Sequence, residues 1–410
     1  MKRVVVTGMA GLSPIGCDWH SIEQNLRAGL TGIRFMEEWN KYGELNTRLG
    51  APVRDFERPE HYPRKMVRSM GRVALMSTRA SELALKDAGL LDDPCIKDGR
   101  MGVSYGSSTG SPDAVADFGN MLLNHASAGI NANSYLKMMS HTAAVNIGVF
   151  FSLKGRIIPT SSACTSGSQG IGYAYEAIKY GHQELMIAGG AEELCATEAA
   201  VFDTLYATST RNTEPQLTPR PFDRDRDGLV IGEGACTLIL EEREHALARG
   251  ARIHAEIVGF GTNSDGSHVT QPEAETMYRA MELALNNAGL SPAQIGYISA
   301  HGTATDRGDI AESHATYRLF GGNTPISALK SYTGHTLGAC GALEAMVAIE
   351  MMNRGWFHPT ANLNNPDPAC APLDYLIGAG RTIDTDCVMS NNFAFGGINT
   401  SLLFVRSGQA

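Results

Sequence analysis

The sequence is poor in charge and in aromatic rings, which make up 19% and 7% of its 410 residues. With 34 basic residues against 43 acidic ones it offers no general positive field, so a nucleic-acid partner is not expected. No stretch approaches the roughly 18 consecutive apolar residues of a membrane-spanning helix, so no membrane partner is expected either. The opening MKRVVVTGMAGLSPIG has a short β-branched run broken by Gly and Pro, which predicts a strand and a turn rather than a signal peptide. The eight cysteines are scattered from 17 to 387 with no C-x-x-C pair, too sparse for a disulfide scaffold or a zinc site. They read as reduced thiols of a cytoplasmic protein. No proline-rich or low-complexity linker divides the chain.

What is present is a large apolar share, 43%, and an internal repeat. Residues 80–90 read ASELALKDAGL and residues 280–290 read AMELALNNAGL, with eight of eleven positions identical. Each copy is composed of good helix formers, ends in Ala-Gly, and precedes a strand-like run, RMGVSYGSS or IGYISAHGT. Elsewhere β-rich segments alternate with helical ones: VVVTG then SIEQNLRAG, and ACTLILEE then REHALARG. ELMIAGGAEE precedes what reads as a Ser/Thr-rich loop. The pattern predicts an α/β protein with largely parallel sheets covered by helices, in two closely packed halves, 1–250 and 251–410.

Three segments carry candidate chemistry. TSSACTSGSQG sets Cys164 among small residues between the apolar run RIIP and a helical segment. A thiol at such a strand-to-helix turn feels the positive end of the helix dipole, which predicts a lowered pKa and an oxyanion site at its own N–H. By itself a cysteine between Ser, Ala and Thr is more often a small buried hydrophobe than a nucleophile. HGTATDRGDIAE puts His301 at the C-terminal end of a strand, and LKSYTGHTLGACGALEAM puts Lys330 and His335 five residues apart before a helix. Two imidazoles suit a reaction in which an enolate oxygen needs donors. Lys330 would add positive potential and Glu312 would anchor the loop by a buried hydrogen bond or ion pair, or either would equally serve as a structural salt-bridge partner. NNFAFGGIN, with Phe393 and Phe395 before paired glycines, suits a gate to an apolar tunnel, with core packing of both rings as the alternative.

Together these segments, with GGAEE at 189–193 and RPFDRDRDGLVIGEGA at 220–235, resemble the β-ketoacyl carrier-protein synthase family, in particular its elongating type II members. The resemblance implies a thiolase-type fold, five layers αβαβα built from two βαβαβαββ halves. It also implies decarboxylative condensation of an acyl-enzyme with a malonyl unit, an acyl carrier protein as partner, a homodimer, and no cofactor or metal. A heterodimer with a non-catalytic chain-length partner is the alternative. A degradative thiolase is disfavoured because NNFAFGGIN has no second cysteine. Carried over, Cys164 takes the acyl chain, and His301 and His335 support decarboxylation and condensation. Lys330 and Glu312 hold the site, and Thr303 and Thr305 touch the pantetheine arm. The N–H groups of Cys164 and Phe395 form the oxyanion hole, and Phe395 gates the acyl channel. Thr109 falls at the bottom of the acyl pocket, where many members carry an apolar residue. This departure, with FDTLYATSTRN at 202–212, resembles paralogues of specialised pathways such as aryl polyene synthesis. The segment RKMVRSMGR, with Lys65 and Arg68, is the densest basic cluster for docking an acidic carrier protein.

Overall fold

The structure is a computed structural model that describes residues 1–54 and 56–408. Its main sheet has eleven strands. The first half contributes β1 (Val4–Leu12), β2 (Met101–Gly106), β3 (Ile157–Thr160), β4 (Leu185–Glu192) and β5 (Gly234–Glu242). The second contributes β6 (Ala255–Ser264), β7 (Tyr297–Ser299), β8 (Pro325–Ser327), β9 (Asp374–Tyr375), β10 (Cys387–Ala394) and β11 (Ile398–Val405). From the seam where β1 meets β6, the order runs β1-β5-β4-β2-β3 one way and β6-β11-β10-β7-β8-β9 the other. The two halves repeat one topology.

The sheet is mixed, which corrects the largely parallel arrangement expected from the sequence. The outer strands pair in parallel, β3 with β2 and β2 with β4, and likewise β8 with β7 and β7 with β10. The inner strands β5, β1, β6 and β11 pair antiparallel. A continuous apolar run means burial on both faces, and it does not distinguish the sense of pairing.

Six helices frame the site: α1 (Arg72–Asp87), α2 (Ser166–Lys179), α3 (Ala196–Asp203), α4 (Ala274–Ala288), α5 (Asp306–Phe320) and α6 (Cys340–Arg354). Helices α2 and α6 lie back to back in the middle layer, where Ile171, Ile178, Leu343 and Val347 share one core with Leu238 and Leu240 of β5 and with Leu402 and Phe404 of β11. Ile239, one residue out of step in β5, faces the opposite layer with α1. Met281 and Leu285 of α4 cover the other half. The result is the layered αβαβα thiolase-type arrangement.

The repeated helices α1 and α4 occupy equivalent places. A Cβ on Gly8 of β1 would lie 2.3 Å from the Ala84 carbonyl oxygen, and one on Gly259 of β6 would lie 2.4 Å from that of Ala284. The repeat therefore preserves a strand-to-helix approach that leaves no room for a side chain. Helix α3 falls where a loop was expected after GGAEE. Its alanines supply the helix propensity that the flanking threonines mask. Among the described residues no helix is long and apolar enough to cross a membrane.

Candidate active site

The nucleophile candidate sits at a crossing of the two central helices. Ala163 has φ 50°, a left-handed conformation that costs a non-glycine residue about 1–2 kcal/mol, and the chain then turns through Cys164 into α2. The matching turn in the second half places Leu337, φ 44°, ahead of α6. These turns meet: the Cys340 thiol donates to the Cys164 carbonyl oxygen over 3.2 Å.

His335 Nε2 stands 2.9 Å from Cys164 Sγ. Its backbone is held by residues 230–232, since His335 N–H donates to Val230 O at 2.7 Å and Gly232 N–H donates to His335 O at 2.9 Å. The Leu337 N–H donates to His335 Nδ1 at 3.2 Å, so in the neutral ring Nε2 bears the proton and points it at the sulfur. His301 is arranged alike. The Lys330 ammonium donates to its Nδ1 at 3.1 Å, leaving Nε2 as a donor, and the two rings stand nearly perpendicular with centroids 5.3 Å apart. Burial first, then the Lys330 charge, holds both imidazoles well below their ordinary pKa, so both are neutral donors at physiological pH.

Lys330 is fully buried and donates to Glu344 Oε1 at 2.5 Å, while Asn392 Nδ2 donates to Glu344 Oε2 at 2.6 Å. Glu344 carries the negative charge here, because ammonium and amide both favour the carboxylate; burial lowers the Lys330 pKa, but the Glu344 carboxylate beside it holds it above its ordinary value. His301, Cys340 and Glu344 approach one another closely enough to hold an ion, but the Lys330 ammonium already contacts His301 and Glu344. Glu312 accepts the N–H groups of His301 and Gly302, each at 2.7 Å. Burial pushes its carboxyl up to about 8.

The thiol corrects one expectation. Burial pushes Cys164 up to about 11, overriding the Lys330 charge and the backbone N–H groups of Phe395 and of Cys164 itself, which favour the thiolate. Desolvation of a sulfur buried to 3% exposure outweighs the end of a helix dipole. The same two N–H groups lie close to the sulfur.

A cavity of about 510 Å³ opens onto this constellation and is lined by Cys164, His301, His335 and Glu312, with Thr303 and Thr305 on one wall and Phe393 and Phe395 on another. The two threonine hydroxyls are 2.8 Å apart. Phe395 stacks on Phe202 at 5.0 Å, and Gly396 and Gly397, both at positive φ, follow it. Thr109 does not line this cavity: its hydroxyl lies 3.2 Å from Glu192 Oε1 and 3.0 Å from Glu198 Oε1. Lys65 and Arg68 are exposed and also lie outside the cavity wall, and RKMVRSMGR forms only the short helix Arg64–Val67 before breaking.

Several groups escaped sequence reasoning. Asp309 accepts the N–H groups of Thr303 and Ala304 at 3.1 Å and that of Phe222 at 2.7 Å, and Arg226 reaches the Thr305 carbonyl at 3.3 Å. RPFDRDRDG is thus the clamp on the His301 loop. Its run of alternating charges was the available signal, since buried aspartates and arginines are rarely left without partners.

Residues 1–246 match the family Beta-ketoacyl synthase, N-terminal domain, and residues 254–364 match Beta-ketoacyl synthase, C-terminal domain. The chain belongs to the β-ketoacyl synthase family. The 3-oxoacyl-[acyl-carrier-protein] synthase 2 of Vibrio cholerae is 37% identical over 413 residues, 99% of each chain. A β-ketoacyl synthase from Burkholderia phymatum superposes with TM-score 0.98 at 63% identity, covering 99% of this chain and 100% of that one. A ketosynthase from Xenorhabdus doucetiae, solved in complex with its chain length factor, superposes with TM-score 0.85 at 28% identity, covering 99% of this chain and 98% of that one. This β-ketoacyl synthase is an acyltransferase of the condensing class.

Proposed function

We propose that this synthase takes its acyl group from one acyl carrier protein onto Cys164 and extends it with a malonyl unit delivered by a second. The observation that carries the reading is the pair of neutral imidazoles whose Nε2–H groups face the space beside Cys164. In the first step the sulfur attacks the acyl thioester, and the thiol proton of Cys164 ends on the departing pantetheine sulfur. In the second, the bond between the malonyl carbon and its carboxylate breaks and CO₂ leaves. The electron pair forms an enolate whose oxygen is held by His301 and His335. The enolate carbon attacks the acyl carbonyl, whose oxyanion is held by the N–H groups of Cys164 and Phe395. Collapse expels the sulfur, and a solvent proton restores the thiol.

In this reading Thr303 and Thr305 hold the pantetheine arm in the cavity, Phe395 gates the acyl side, and Lys330 and Glu312 position the histidines. The halves 1–250 and 251–410 each supply one turn of the site, which agrees with their repeated strand order. A homodimer is supported by β3, an edge strand whose Ile157 is 44% exposed beside Val149 at 59%, since an open apolar edge invites pairing with a second copy. Pairing with a chain length factor is the second reading. A nucleophilic thiol must stay reduced, which supports a cytoplasmic location. The test is intact-mass analysis after incubation with acyl carrier protein: one acyl mass should appear on Cys164 and disappear when malonyl carrier protein is added. An unmodified chain would overturn the reading.

A further inference from the structure

The strained turn that follows His335 is held from the other half of the molecule. Leu337 has φ 44°, a left-handed conformation that a leucine keeps only when its surroundings hold it, and the next residue, Gly338, presses against the end of β4. A Cβ on Gly190 would lie 2.1 Å from the Gly338 carbonyl oxygen, and one on Gly338 would lie 2.9 Å from Glu192 Oε2. Gly190 and Glu192 are alternate residues of β4, so both face the turn.

Glu192 is fully buried, and its two oxygens have different partners. Oε1 accepts the Ser107 hydroxyl at 2.9 Å and lies 3.2 Å from the Thr109 hydroxyl. Oε2 accepts the Ser108 hydroxyl, the Ser108 N–H at 2.8 Å and, from the second half, the Gly338 N–H at 3.0 Å. One side chain thus ties the loop after β2 to the turn after His335.

The consequence lies one residue back. The Leu337 N–H donates to His335 Nδ1 at 3.2 Å, and this bond leaves the ring proton on Nε2, beside Cys164 Sγ. The N–H groups of Leu337 and Gly338 belong to the planar peptide units on either side of the Leu337 Cα, so anchoring one while Leu337 is left-handed sets the direction of the other. Without its acceptor the Gly338 N–H would be buried and unpaired, and Leu337 would relax to negative φ with its own N–H turned away from the ring. His335 itself would keep its place, because Val230 and Gly232 hold its backbone. Its proton would then be free to move to Nδ1.

We propose that Glu192 is a positioning residue that fixes His335 as an Nε2 donor, acting through the Gly338 N–H. The effect on turnover rests on His335 holding the enolate oxygen; the effect on the ring does not.

The experiment reads the ring directly, by nitrogen NMR of the full chain carrying isotope-labelled histidine, in which the two tautomers are told apart by which nitrogen bears the proton. In the wild type His335 should be in the Nε2–H form. Glu192→Ala should move it toward Nδ1–H, while His301, whose Nδ1 is held by Lys330, stays as it is. Glu192→Gln, whose carbonyl can still accept the Gly338 N–H, should restore the wild-type pattern. CO₂ release from malonyl carrier protein should fall about tenfold in Glu192→Ala, less than the roughly 10²–10³-fold for removing the donor itself, and acyl loading of Cys164 should fall clearly less. In the His335→Ala background the same change should add little further loss. If Glu192→Ala does not fold, Glu192→Asp, which draws the carboxylate back by one methylene, takes its place with the same direction expected. A wild-type ring in the Nδ1–H form, a ring unmoved in the folded variant, or a fully additive loss in the His335→Ala background would overturn the proposal. A shifted tautomer with undiminished CO₂ release would uphold the positioning and instead remove His335 from the condensing reading.

Discussion

His335 Nε2 lies 2.9 Å from Cys164 Sγ while His335 Nδ1 accepts the Leu337 N–H, so this imidazole faces the sulfur as a donor and not as a base. A histidine that donates to sulfur can equally donate to the enolate oxygen that forms in the same space. Cys164→Gln, whose amide imitates an acyl thioester, should stop condensation yet keep decarboxylating malonyl carrier protein. His335→Ala should lose decarboxylation by about 10²–10³-fold and still accept some acyl group. Measuring CO₂ release and acyl mass on both variants checks the division of labour. Undiminished CO₂ release from His335→Ala would remove His335 from the second step.

The buried thiol gives a second prediction. With Cys164 pushed up to about 11, its alkylation by iodoacetamide should keep accelerating with pH through the alkaline range. A free cysteine levels off just above its ordinary value of about 8.5. Lys330 lowers the Cys164 pKa by its charge, so Lys330→Met should shift the profile further to alkaline pH. A rate that is flat from neutrality upward would show a thiolate already formed and return the helix dipole to first place.

These two residues also mark what the sequence could and could not disclose. The duplication was readable because α1 and α4 bury the same positions against equivalent glycines, and a repeated contact leaves a repeated string. Cys164 and His301 stand out in the sequence because each follows a strand in a run of small residues, whereas His335 follows the short helix Lys330–Thr333. The direction of the thiol's shift was not readable, since it depends on how deeply the two halves enclose the sulfur. The Lys330–Glu344 pair was missed because its members lie on separate elements, Glu344 one turn inside a helix where its immediate neighbours are small and apolar. Nor do the carboxyl partners of Thr109, some 83 and 89 residues away, leave any local pattern.

The buried Lys330–Glu344 pair carries a third prediction. Lys330→Met leaves Glu344 buried without its cation, which should cost about 3–5 kcal/mol of stability. The uncompensated carboxylate then favours protonation, so its pKa in the folded state rises above that of the unfolded chain. A raised folded pKa gives stability that is present at low pH and lost as pH rises through it, so the variant's deficit should be largest in alkaline buffer and smaller in mildly acidic buffer. With the Lys330 charge gone, the pKa values of His301 and His335 should rise, bringing a histidine limb into the acid side of the decarboxylation profile that the wild type lacks. Thermal melts and rate profiles across pH check both effects. A deficit that did not vary with pH would mean that Glu344 does not carry charge in the wild type.

The last prediction concerns delivery of the carrier protein to a chain that is itself net negative. Lys65 and Arg68 lie exposed on a short turn, and Arg68 borders a polar groove with Lys137, Asp113 and Asp117. Charges at an interface rim act mainly on encounter, so reversing both to Glu should raise KM for carrier-bound acyl substrate on the order of tenfold and reduce its dependence on salt. A small acyl-pantetheine thioester makes no such encounter and should react with unchanged KM and kcat. Because neither residue lines the cavity, kcat on the carrier-bound substrate should also hold. The comparison of the two substrates at low and high salt decides the matter: equal losses on both would point to a disturbed fold, and no loss on either would move the docking surface elsewhere, toward the cavity mouth where Tyr206 and Arg307 lie exposed.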